Sequence, residues 1–411
     1  MTDNQKLLYE LQLASSKSEA FNIWSRYQTL LSNSALILSF PGESPLSARL
    51  FKTFGQKARL ISIFAENDLY FLNAKIYEEL GAGRSCTFPI SYAISFDTNA
   101  ASFLRALFAG REMGPTNDLR ELLRNFRGNR LNWHVIPYLM ENAEAIAAGE
   151  NSQDIFETIL ATEKVQGLDA EHFIAEGEIR LKIDETELVN RAAAELSNFA
   201  RQLNNGLKNE FIQRWEVVYV TLLFMTLLQI KMPAKVLAAK KLRALVEFMD
   251  CELHAMLVEI LNIALEWFVG GNYVGIFNRL QRNAPDLVDK AKNISWDILH
   301  LLQLRQEATY LSRDKCFSIP YFLTFDQALA DLMQMCAIKG CLIPGTFQYP
   351  VCFPPHDPMI KFDQMIGGDS KFTTQYLSPE ANARRLSWMD INARPDLSSL
   401  RRKLETELSQ Y

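Results

Sequence analysis

Asp97 and Asp326 each close a short run of β-branched and aromatic residues, and each is followed at once by a helix-type segment. The first run covers 90–96 and passes through Asp97, Thr98 and Asn99 into a helical pattern over 100–109. The second covers 319–325 and passes through Asp326 into 327–338. Both read as strand, acidic turn, helix. Carboxylates at the C-terminal ends of parallel strands lie where α/β sheets place their chemistry, so the two aspartates are expected to meet despite the 229 positions between them. Converging carboxylates repel unless a proton or a divalent cation separates them. Metal-dependent hydrolysis of phosphodiesters is the chemistry such a pair suggests, since hard divalent cations take oxygen ligands.

A third aspartate extends the set. Ser295 reads as a helix N-cap, which places Asp297 in the first turn, where the helix dipole favours a carboxylate. Taken singly, an aspartate after a strand reads equally as a cap or Asx-turn residue. The functional case rests on the acids occurring together and in order. Arg120, Arg124 and Arg127 recur at helical spacing and could grip phosphates; they also fit a solvated face balanced by Asp118 and Glu121. His300, beside Leu299 and Leu301, reads as a structural residue, and Trp133 and Tyr138 fit either base stacking or core packing.

The series Phe96-Asp97-Thr98-Asn99, then Asp297 at a helix start, then Thr324-Phe325-Asp326 followed by a helix resembles the ordered acidic motifs of PIN-domain nucleases. The resemblance implies an α/β/α sandwich around a parallel sheet, with an acidic cluster that binds magnesium or manganese and hydrolyses phosphodiester bonds, most often in RNA. Carried over by position, Asp97, Glu141, Asp297 and Asp326 stand as the four catalytic acids, with Asp97, Asp297 and Asp326 as metal ligands; for the second position Glu141 follows the first strand–helix unit closely, with Glu247, Asp250 and Glu252 as rivals. Thr98, Asn99 and Thr324 would orient carboxylates or waters around the ion. The interval from Asp97 to Asp297 exceeds that of a compact PIN domain, which implies a large helical insertion or a coincidence of short motifs. Family members act as toxins, in defence or in RNA turnover.

The elements that must position these residues suit an α-rich α/β chain. At 411 residues, with 48% hydrophobic and 11% aromatic residues, the chain can bury a sizeable core in two or three units. The expected division is an N-terminal region 1–88, the first part of a PIN-like core at 89–145, a helical insertion or layer at 146–292, the second part of the core at 293–345, and a proline-rich arm with a C-terminal helix at 346–411. A net charge of −5 excludes a generally basic nucleic-acid coat while allowing a local basic groove. Six cysteines without a CxxC pair exclude a zinc ribbon and a dense disulfide framework. The polar N-terminus carries no secretory signal pattern, and the apolar stretch 217–230 is shorter than the roughly 20 residues a bilayer span needs. Together these give the expectation of a cytoplasmic chain with no membrane role; the resemblance implies action on nucleic acid, and the C-terminal tail could serve a second copy of the chain or a regulatory protein. No GxxxxGK[ST], GxGxxG or HExxH pattern is present, so P-loop, dinucleotide and zincin chemistry lack support. A haloacid-dehalogenase-type phosphatase would want an aspartate where Asn99 stands. The rival from another class is a helical interaction protein whose aspartates are caps.

Overall fold

The computed structural model describes residues 3–42, 51–125, 131–150, 152–270, 275–310, 316–343, 350–390 and 396–411. The chain forms two compact units, Met1–Lys208 with Leu301–Pro355, and Asn209–His300 with His356–Tyr411. Both are assembled from sequence-distant pieces. The divisions fall after 208, 300 and 355. The architecture is α-rich α/β.

Among the described residues the first unit holds nine strands in two sheets: β1 (Ala35–Phe40), β2 (Phe51–Phe54), β3 (Ala58–Ser62), β4 (Asp68–Asn73), β5 (Ile90–Phe96), β6 (Leu131–His134), β7 (Phe317–Thr324), β8 (Gly340–Ile343) and β9 (Val351–Phe353). One sheet runs β4-β1-β8-β9, antiparallel throughout. The other runs β2-β3-β7-β5-β6. In it β7, β5 and β6 are parallel while β3 and β2 run antiparallel, so the sheet is mixed rather than all-parallel. Strand β7, central in this sheet, is buried at all eight positions, Ser318 and Thr324 included. Phe71 of β4, Phe88 and Phe317 of β7 form a three-ring cluster with centroids 4.8–5.4 Å apart, tying the sheets into one core.

The β2–β3 hairpin is held by carboxylates rather than by its own turn residues. Asp118, buried on the helix Gly114–Asn125, accepts hydrogen bonds from the backbone N–H groups of Gln56, Lys57 and Ala58 at 2.8–3.3 Å. Glu121 accepts from Gly55 N–H at 2.8 Å. Gly55 has φ +55°, and a Cβ there would stand 1.9 Å from Asp118 Oδ1, so only glycine fits. These acids are hairpin anchors, not counter-charges to the neighbouring arginines.

The described part of the second unit is helical. Its long helix Lys208–Lys231 contains the apolar stretch 217–230. The helical run Glu185–Lys231 is long and apolar enough to cross a membrane, but 72% of that apolar window is buried inside the protein, as in a core helix. Trp215 stacks between Tyr219 and Trp296 at 4.8 and 5.4 Å. The stretch expected as an irregular arm instead forms the helices Pro358–Met365, Ser370–Leu377 and Pro379–Asp390, and the expected C-terminal helix is Leu397–Leu408. Asp357, Asp369 and Asp396 cap three of them through their side chains.

Candidate active site at the strand ends

Parallel pairing of β5 with β7 sets Phe96 beside Leu323, so the residues that follow the two strands emerge at one sheet edge. Asp97 is 6% exposed there. Its Oδ1 accepts from Ala100 N–H at 2.6 Å, capping the helix Thr98–Phe108, and its Oδ2 accepts from the Thr324 hydroxyl at 2.6 Å. The same Thr324 oxygen accepts from Asp326 N–H at 3.0 Å. Asp326 Oδ1 in turn accepts from Ala328 and Leu329 N–H, capping the helix Gln327–Met335. One threonine hydroxyl thus links both strand ends. Burial pushes the Asp97 carboxyl up to about 6, against its bonds from Thr324 and Ala100; the negative charges of Glu141 and Asp326 push the same way as burial.

Glu141 closes the helix Ile136–Glu141 and accepts from the Thr98 hydroxyl at 2.7 Å, which brings the second expected acid to this edge. Thr98 and Asn99 are exposed in the first turn after Asp97. Asp297 is different. It lies ten residues inside the helix Leu287–Tyr310 and belongs to the second unit, whereas Asp97, Glu141 and Asp326 belong to the first. Buried residues at Leu287, Ala291, Ile294, Ile298 and Leu301 keep one apolar stripe running through that helix, so Ser295 is no cap. Its hydroxyl donates back to the Lys292 carbonyl and accepts from Trp215 Nε1 at 2.8 Å.

The arginines are partly committed. Arg120 donates to the Gly177 carbonyl at 3.1 Å, and Arg124 lies over the Phe173 ring at 5.7 Å. Both therefore secure the C-terminal end of the helix Ala170–Glu176, where a cation meets the negative helix pole. Arg127 lies outside the described residues. Trp133 and Tyr138 are buried in the core.

A polar group that the sequence did not reveal lies at the neighbouring strand. His134 ends β6, in register with Ser95 of β5, and its Nδ1 is 4.0 Å from Oε2 of Glu307, carried by the helix Leu287–Tyr310. Ser95 Oγ and Glu307 Oε2 are both buried here. Burial pushes Glu307 up to about 7, with the nearby Ser95 hydroxyl working against it, and pushes His134 down. Both shifts favour neutral forms.

Among the described residues no three His, Cys, Asp or Glu side chains converge as a closed metal cage. Magnesium asks for less, commonly one or two carboxylates with waters and substrate oxygens completing its shell. The mutual charge pressure of Glu141 and Asp326 on Asp97 is the condition a cation would relieve. Comparison with protein families, characterised proteins and solved structures gives no match.

Proposed function

We propose that this chain is a PIN-like, metal-dependent phosphodiesterase acting on nucleic acid, RNA foremost, in the cytoplasm as a toxin or defence effector. The observation that carries the reading is the parallel β5–β7 pair, which delivers Asp97 and Asp326 to one edge with Thr324 bonded to both. Asp97 and Asp326 would hold magnesium or manganese, which supplies positive charge to stabilise the phosphoryl transition state. Thr324 fixes the Asp97 carboxylate, and Thr98 fixes Glu141. Without a cation, burial holds Asp97 near 6, so a proton competes with the metal there, and the metal concentration needed for cleavage should rise as pH falls through about 6. Asp297 stands inside the helix Leu287–Tyr310 rather than at a helix start, and the reading does not rest on it.

A second reading draws on a specific observation. Asp97 and Asp326 each cap the following helix, a structural task complete in itself, which suits a non-catalytic interaction protein. Cleavage of single-stranded RNA and DNA with magnesium or manganese, against an EDTA control, separates the two. Asp97→Asn and Asp326→Asn, first shown by circular dichroism to fold, are expected to lose about 100-fold in rate. Wild-type rates in both variants would remove the site, EDTA-resistant cleavage would remove the metal, and no cleavage by the wild type would favour the second reading.

A further inference from the structure

Strand β9 lies at the edge of the antiparallel sheet and pairs with β8 so that Cys341 stands directly opposite Cys352. Among the described residues no other strand pairing sets two cysteines face to face. Directly opposed residues of antiparallel strands have Cα atoms about 4.5 or 5.5 Å apart, according to the pair type. Both values fall inside the roughly 4.4–6.8 Å window of a disulfide. The two side chains already meet: the thiols of Cys341 and Cys352 are in hydrogen-bonding contact, which together with burial raises the Cys341 thiol well above its ordinary value. Their exposure differs. Cys341 is fully buried, whereas Cys352 is half-buried and reaches the Arg305 carbonyl at 4.0 Å.

We propose that Cys341 and Cys352 are a reversible modification site, forming a cross-strand disulfide by exchange with a small-molecule disulfide such as oxidised glutathione. The reachable Cys352 thiolate attacks one glutathione sulfur, giving a mixed disulfide and releasing one glutathione thiolate. The Cys341 sulfur then loses its proton to solvent and attacks Cys352 Sγ, forming the Cys341–Cys352 bond and expelling the second glutathione. Two protein thiols lose two electrons, and one small disulfide becomes two thiols. Because the new bond joins positions already paired, it locks the edge strand without changing its register. The remaining cysteines, Cys86, Cys251, Cys316 and Cys336, lie outside the strands and so have no such register partner.

The test equilibrates the full chain with reduced and oxidised glutathione in varied ratio, quenches in acid, alkylates free thiols and maps disulfides by mass spectrometry. The expected result is a 341–352 linked peptide that grows with the oxidised fraction, vanishes on dithiothreitol treatment, and lowers the free thiol count from the six of the sequence by two. Cys341→Ala should instead accumulate glutathione on Cys352. The proposal is overturned if the wild type gathers a glutathione adduct on Cys352 without the link, if another cysteine pair dominates, or if no oxidation occurs at any ratio.

Discussion

A carboxylic acid moved from water into the packed space beside β5 and β6 loses the hydration that favours its charged form. Glu307 is in that position, raised from 4.5 to about 7, and the folded state therefore holds its proton more tightly than the unfolded chain does. The sign of the linkage follows: its contribution to stability is complete below about pH 4.5 and is lost as pH rises through about 7. His134, shifted down, works oppositely, costing stability as pH falls below 6.5. Glu307→Gln keeps the shape and removes the charge, so it should stabilise the protein at pH 8 by up to about 3 kcal/mol. At pH 4.5 the difference should nearly vanish. Urea unfolding at pH 4.5, 6 and 8 checks this. A variant destabilised at pH 8 would show instead that the carboxylate is held there as an ion pair with His134.

At the scale of elements, the hairpin β2–β3 depends on acids from the helix Gly114–Asn125, and β3 in turn borders β7, the strand that carries Thr324. Asp118→Ala would leave three backbone N–H groups at Gln56, Lys57 and Ala58 without their acceptor, one of them buried, at a cost of about 1–3 kcal/mol for each group that water cannot reach. A lowered melting temperature and faster amide exchange over 51–62 should follow; unchanged exchange there would show that strand pairing alone secures the hairpin. The contrast with β5 and β7 explains what the sequence could reveal. Those strands announce themselves by an apolar run, a capping aspartate and a helix, all local signals, and the edge they share was legible from them. Asp118 gives no such signal, because its partners lie 60–62 positions away. The same holds for Glu307: flanked by Gln303, Arg305 and Gln306, it reads as part of a polar helix face, and only the fold sets it against Ser95 and His134. Asp297 was misplaced for the converse reason. Ser295 two residues before it imitates a cap, and the apolar stripe running from Leu287 outweighs that local pattern.

For the whole molecule, two compact units imply that unfolding need not be a single transition. The second unit has its own charged keystone in Asp250, a rival for the second acidic position on sequence grounds that the structure commits elsewhere. Asp250, 2% exposed, accepts from Arg385 at 2.7 Å and from Arg384 at 2.8 Å, joining the helix Ala238–Cys251 to Pro379–Asp390. Arg385 also donates to the Tyr376 carbonyl at 2.8 Å, which ties in the helix Ser370–Leu377. Removing one partner of a buried ion pair strands the other charge, at a cost of about 3–5 kcal/mol. Asp250→Ala should therefore speed amide exchange in these three helices while β5 and β7, whose contacts lie within the other unit, keep their protection. Hydrogen–deuterium exchange with mass spectrometry on the full chain reads both regions in one sample. Loss of protection spreading into β5 and β7 would show that the units unfold as one; protection unchanged in all three helices would show that apolar packing around Leu242, Leu245 and Phe268 holds the second unit without this pair.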